Sequence, residues 1–164
     1  SLIGTAVYIK YDKPAVSLLG YALVAGPFGL MLGPVTAQYT PESVAKVAGI
    51  TIVLVAVLGF IGASIPDSLE KWGTWLLLGL VVLIIGYFVV PVFGFFGVSV
   101  EGSLHFLDWA AVALFSAVVI YDMNRAMRVP RTLDKSIDCA GGLFTDVVNL
   151  AIHLLSLLGV KTSD

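Results

Sequence analysis

The sequence predicts an all-α fold, a polytopic bundle of transmembrane helices with its last helix at the centre. Two observations carry that expectation. Of 164 residues, 59% are hydrophobic and 12% charged, against about 45–50% and about 25% in ordinary soluble domains. The mean hydropathy is correspondingly high, +1.00. Apolar runs of about 20 residues, the length a helix needs to cross hydrocarbon, also recur along the chain. Hydrocarbon leaves no partner for backbone amides outside a helix, so these runs are read as helical spans. A net charge of -2 supplies no phosphate-seeking surface, which excludes a nucleic-acid partner. A single cysteine excludes a disulfide framework and a cysteine-clustered zinc site. No cofactor is expected.

Taken in order, residues 2–10 are apolar but only about half the crossing length. They begin without Met or a basic stretch, so they are expected to be the end of a helix that starts outside this sequence. The whole of 1–164 is then one N-terminally truncated transmembrane domain. The full spans are expected at residues 15–37, 44–63, 74–97, 104–129 and 137–160. Turn residues separate them: Tyr11 to Pro14, Thr40 to Ser43, Ile65 to Ser68, Ser99 to Gly102, and a basic stretch ending at Ser136. Pro and Ser at such points stop one helix and cap the next. The penultimate span ends near Val129 because the residue before Pro130 disfavours helical backbone, and Ser136 is the expected N-cap of the last. Pro27, Pro34 and Pro91 fall inside spans, where they mark kinks. Small residues four apart (Gly29 and Gly33, Ala45 and Gly49, Gly59 and Ala63) permit close helix contact.

Lys and Arg set the orientation. Lys10, Lys13, Lys71, Arg125, Arg128, Arg131 and Lys135, seven of the nine, fall on alternate connections. The positive-inside rule puts that side in the cytoplasm or its equivalent and the C-terminus opposite. Lys46 snorkels, and Trp72, Trp75 and Trp109 near span ends suit interfacial anchoring.

The chemistry lies in the last two spans. An ionisable group in hydrocarbon costs about 2.5–3.5 kcal/mol on the lenient insertion scale. Yet the last span carries Asp138, Asp146 and His153, and the one before it His105, Asp108 and Asp122. Asp138, Gly142, Thr145, Asp146, Asn149, His153 and Ser156 recur every three or four residues and form one polar stripe. Such a stripe turns into the bundle or a wet cavity. Asp122 lies seven residues from Val129, about 10 Å, and Asp146 ten residues from Ser136, about 15 Å. In an antiparallel hairpin the two carboxylates stand within about one turn of the same level. Two carboxylates in a low-dielectric site do not both ionise cheaply and titrate as a unit. Their oxygens, with Asn149 and backbone carbonyls, are also hard ligands of the kind calcium prefers. Arg125, one turn from Asp122, is an alternative charge partner.

Plainer roles compete for most of these residues. Asp122, and more so Asp108 and His105 near the other helix end, could reach the interface. Asp138 could be a first-turn acid favoured by the helix dipole. His153 and Ser156 could bond a neighbouring helix, and Cys139 could be small packing. Asp146 is too deep for such a reading.

At these residues the chain resembles the transmembrane Bax-inhibitor motif family of seven-helix membrane proteins. The matching strings are IYDMN at Ile120 to Asn124, LFTDVVNL at Leu143 to Leu150 and LLSLLG at Leu154 to Gly159. The resemblance implies a pH-sensitive calcium leak channel or calcium/proton exchanger, with calcium as cargo and Asp122 and Asp146 as sensing pair and calcium ligands. It also implies Lys10 as a latch for that pair. Thr145 and Ala151 depart from the bulky and aromatic residues common at their positions. Some relatives lack the pair and associate with a membrane protease, so the alternative is a non-transporting accessory subunit of a membrane protease or other large complex. An enzyme is not expected. An intramembrane aspartyl protease would want Gly-x-Gly-Asp where Leu143, Phe144 and Thr145 precede Asp146, and serine and zinc hydrolase strings are missing. The expected location is a bacterial cytoplasmic membrane, with the mitochondrial inner membrane or endoplasmic reticulum as alternatives.

Overall fold

A computed structural model describes residues 14–162. The described residues form five helices: α1 (Pro14–Thr36), α2 (Pro41–Ser64), α3 (Gly73–Phe95, entered through a 3-10 turn at Glu70–Trp72), α4 (Glu101–Ala126) and α5 (Leu133–Leu158). All five are long and apolar enough to cross a membrane. Lys10 and the apolar run at 2–10 lie outside the described residues.

Several helix ends differ from the expected ones, each for a local reason. α2 starts at Pro41 rather than 44, because Thr40 accepts the Ser43 N–H at 3.4 Å and Pro41 takes the first helical position. α3 ends at Phe95, and Gly97, with φ +80°, turns the chain in the left-handed region. α4 starts at Glu101 rather than 104 and ends at Ala126, after which a hydrogen-bonded turn runs on to Val129. Ser136 is not the cap of the last helix. Thr132 is: its backbone is extended and its hydroxyl accepts the Lys135 N–H at 3.3 Å. Ser136 sits in the first turn and donates back to the Thr132 carbonyl at 2.9 Å. A count that begins at the apolar residues overlooks these polar first turns.

α5 packs against α1, α2 and α4, and α4 packs against α2, α3 and α5. The last helix is therefore central, as its one-sided polar stripe requires. Their shared core is Val47, Leu83, Ala111, Phe115, Leu150, Leu154 and Leu155. α3 is peripheral, with Leu83 its single buried residue. Phe60, Phe88 and Phe95 stand outward, 75–89% exposed, on faces suited to lipid rather than water. Trp72, Trp75 and Trp109 are also exposed.

Of the expected small-residue pairs, the one holding Gly59 faces a neighbouring helix: Gly59 is buried, and a Cβ there would lie 3.4 Å from the Met123 side chain of α4. A Cβ at Gly29, Gly33 or Gly49 would meet nothing within 4 Å among the described residues. At Gly62, by contrast, it would strike the Ile120 backbone carbonyl, so α2 and α4 touch backbone to backbone there. Spacing alone does not say which face of a helix is covered.

Beside that contact, buried Asn124 closes the α2–α3 connection. Its amide donates to the carbonyls of Gly62, Ile65 and Asp67 at 3.1–3.2 Å and its oxygen accepts the Leu69 N–H at 3.1 Å. Arg128 donates to Ile65, Pro66 and Asp67 carbonyls at 2.7–3.1 Å, a cation placed at the carbonyl end of α2.

Candidate functional site

Asp122 on α4 and Asp146 on α5 face one another across the antiparallel seam, and their side chains are hydrogen-bonded together. A bond between two carboxyl groups needs a proton on one of them. Asp146 is only 7% exposed, and its Oδ2 has no hydrogen-bond partner among the described residues. Gly142, one turn before Asp146, makes the approach possible. A Cβ there would lie 2.9 Å from Asp122 Oδ2.

Next to the pair is a cavity of about 420 Å³ lined by Asp122, Arg125, Val129, Pro130, Lys135, Asp138, Cys139 and Gly142. It has both signs of charge on its wall. Arg125 acts on Asp122 through its charge but makes no ion pair with either aspartate among the described residues. Lys135 instead lies 3.5 Å from Asp138 and 3.8 Å from Asp134. Asp138 is not a first-turn acid. α5 begins at Leu133, so that position belongs to Asp134, which accepts a hydrogen bond from Ser17 on α1. Cys139 is half-buried on the cavity wall rather than in the core. Asn149 is half-buried and makes no side-chain hydrogen bond among the described residues.

The upper part of the stripe makes a second cluster that sequence reasoning largely missed. Asp108 does not reach for the interface. It is 8% exposed, on the side of the bundle away from the basic connections. Tyr87 of α3 donates to its Oδ1 at 2.5 Å, His153 Nδ1 lies 2.9 Å from the same oxygen, and Ser156 donates to Oδ2 at 2.6 Å. The His153 ring lies between those of Tyr87 and Phe115, with centroids 5.5 and 5.9 Å away and interplanar angles of 24° and 16°. The sequence signal for Tyr87 is a lone phenol inside a run rich in Leu, Ile and Val. His105, a turn before Asp108, is exposed. The buried apolar residues Phe115, Val119 and Leu150 stand along α4 and α5 between the two clusters.

A protein of Caulobacter vibrioides, itself described only as uncharacterized, is 27% identical over 117 residues, 71% of this chain. The match takes in 45% of that protein, so the chain spans less than half the length of this relative. The family described as inhibitor of apoptosis-promoting Bax1 matches residues 1–163. With that match over a bundle of apolar helices, the chain belongs to the Bax inhibitor family of membrane proteins.

Proposed function

We propose that this chain forms the ion pathway of a pH-sensitive calcium leak or calcium/proton exchanger, gated by Asp122 and Asp146. The observation that carries the reading is the direct carboxyl-to-carboxyl contact inside a helix seam, beside a charged cavity. A chain that is 59% hydrophobic gains no stability from burying two like groups against each other. Their use is chemical. Protonated, the pair is held together by one shared proton and joins α4 to α5. Without it, the two carboxylates repel and present hard, anionic oxygens to a divalent cation. Proton and calcium then compete for the same atoms, so calcium entry displaces the proton and pH sets how often the seam opens.

The scarcity of other ligands supports passage rather than storage. Among the described residues no three His, Cys, Asp or Glu side chains gather as a metal site. Two carboxylates completed by water would hold calcium loosely enough to release it. Arg125 on the cavity wall raises the electrostatic barrier next to the pair and so moderates the leak. The test is calcium flux in proteoliposomes holding the full-length protein. Asp122→Asn and Asp146→Asn should each abolish the dependence of flux on pH. A leak that keeps its pH profile in both variants contradicts the reading.

A further inference from the structure

We infer that Asp108, His153, Tyr87 and Ser156 form a second proton-binding site, at the end of the α4–α5 seam opposite the aspartate pair. The arrangement is specific. The Asp108 carboxylate is filled by three donors from three places: the Tyr87 hydroxyl on α3, the Ser156 hydroxyl on α5 and His153 Nδ1 on α5. Tyr87 Oη also lies 3.1 Å from Nδ1, so phenol, imidazole and carboxylate form a closed triangle. With Nδ1–H committed to Asp108, the imidazole's remaining nitrogen, Nε2, is where a proton can add. It makes no hydrogen bond among the described residues.

The charge arithmetic distinguishes this from a knot that merely ties helices. With neutral imidazole the cluster carries one negative charge within the bundle. A proton taken from water onto Nε2 gives an imidazolium–carboxylate pair with no net charge, and no hydrogen bond has to break. The two aromatic rings nearly parallel to the imidazole, Tyr87 and Phe115, suit that state, since an imidazolium is attracted to ring faces. A helix tie built only for strength would need neither an ionisable base nor this sandwich. Tyr87 from α3 and Asp108 from α4 are the titratable groups bonded to His153. Among the described residues no charged side chain of α1 or α2 bonds to the cluster, and His105 is exposed a turn away. Phe115, Val119 and Leu150 separate this site from the aspartate pair, so each can answer to the water on its own side. That coupling to flux rests on the proposed function; the proton site itself does not.

The experiment uses full-length protein labelled with 15N-histidine in lipid nanodiscs. The variant His105→Gln, at an exposed position, removes the other imidazole signal of this chain. The His153 nitrogens should pass from singly to doubly protonated forms as the pH falls. Asp108→Asn keeps an acceptor for Tyr87 and His153 but no charge, and should move that transition by about one pH unit or more. An imidazole that keeps one protonation state throughout, or a transition unmoved by Asp108→Asn, overturns the site. In liposomes with separate inner and outer pH, Asp108→Asn should alter the response to pH on the side opposite the basic connections and leave the other response intact. An unaltered response there overturns the coupling. If no leak is seen at all, the proposed function fails, and the spectra still decide the site.

Discussion

The seam between α4 and α5 holds two acids of α4, buried Asp108 and half-buried Asp122, and the surroundings treat them in opposite ways. Asp108 meets three donors and is satisfied as a carboxylate. Asp122 meets another acid, Asp146, one of whose oxygens has no partner among the described residues. The same residue type, on the same helix and in the same two-helix packing, is thus a stabilising anchor at one end and an unsatisfied, reversible contact at the other. What differs is the facing residue: donors at Asp108, a like group at Asp122. Buried polar groups fully supplied with partners stabilise, and half-supplied ones do not.

Removing each acid in turn separates the two environments. Asp108→Ala leaves the Tyr87, His153 and Ser156 donors without their acceptor and, since Ser156 is exposed and the other two are half-buried, should cost about 2–3 kcal/mol of stability. Asp146→Ala removes a carboxyl already short of partners and should change stability by no more than about 1 kcal/mol in either direction. Unfolding of the two variants in mixed micelles checks the contrast, and equal losses would erase it. Function should rank the other way. Asp122→Asn or Asp146→Asn should lower pH-stimulated calcium flux by about tenfold or more, since tenfold is only about 1.4 kcal/mol of lost interaction.

Smaller effects refine the picture. Ser156→Ala removes one hydrogen bond to a charged group and should cost about 1.5 kcal/mol in the same unfolding assay. Gly142→Ala puts a methyl group 2.9 Å from Asp122 Oδ2. The carboxyl must shift, at about 1 kcal/mol, and the pH midpoint of the leak should move while the protein stays folded. His105→Gln, at an exposed position, should alter stability by less than about 0.5 kcal/mol.

Much of this was legible in the sequence because hydrocarbon imposes a simple rule on length and polarity. The five apolar runs and the single polar stripe of the last helix follow from counting. The depth argument for Asp122 and Asp146 began from Ser136, whereas α5 starts at Leu133. The end of α4 at Ala126 rather than Val129 adds a second turn in the same direction, so counting from the helix ends does not by itself put the two acids level. The second cluster was not legible. Distance from a helix end suggested that Asp108 could reach the interface, but its donors come from Tyr87 on α3 and Ser156 on α5, and no count along one helix reveals them. The small-residue pairs divide for a related reason: Gly59 is buried against Met123 of α4, whereas Gly29, Gly33 and Gly49 fit the spacing and meet nothing, because spacing does not state what lies opposite. Asn124, inside the IYDMN string, turned out to hold the α2–α3 connection, so one short motif serves the seam with its acid and the loop with its amide.

The most direct measurement is infrared difference spectroscopy of the carboxyl groups during calcium addition, with released protons counted in parallel. If Asp122 and Asp146 hold one proton between them, calcium should discharge a protonated-carboxyl band and release one proton, and either Asp→Asn substitution should remove both signals. Calcium that displaces no proton, or a band that survives in both variants, would contradict the shared-proton gate.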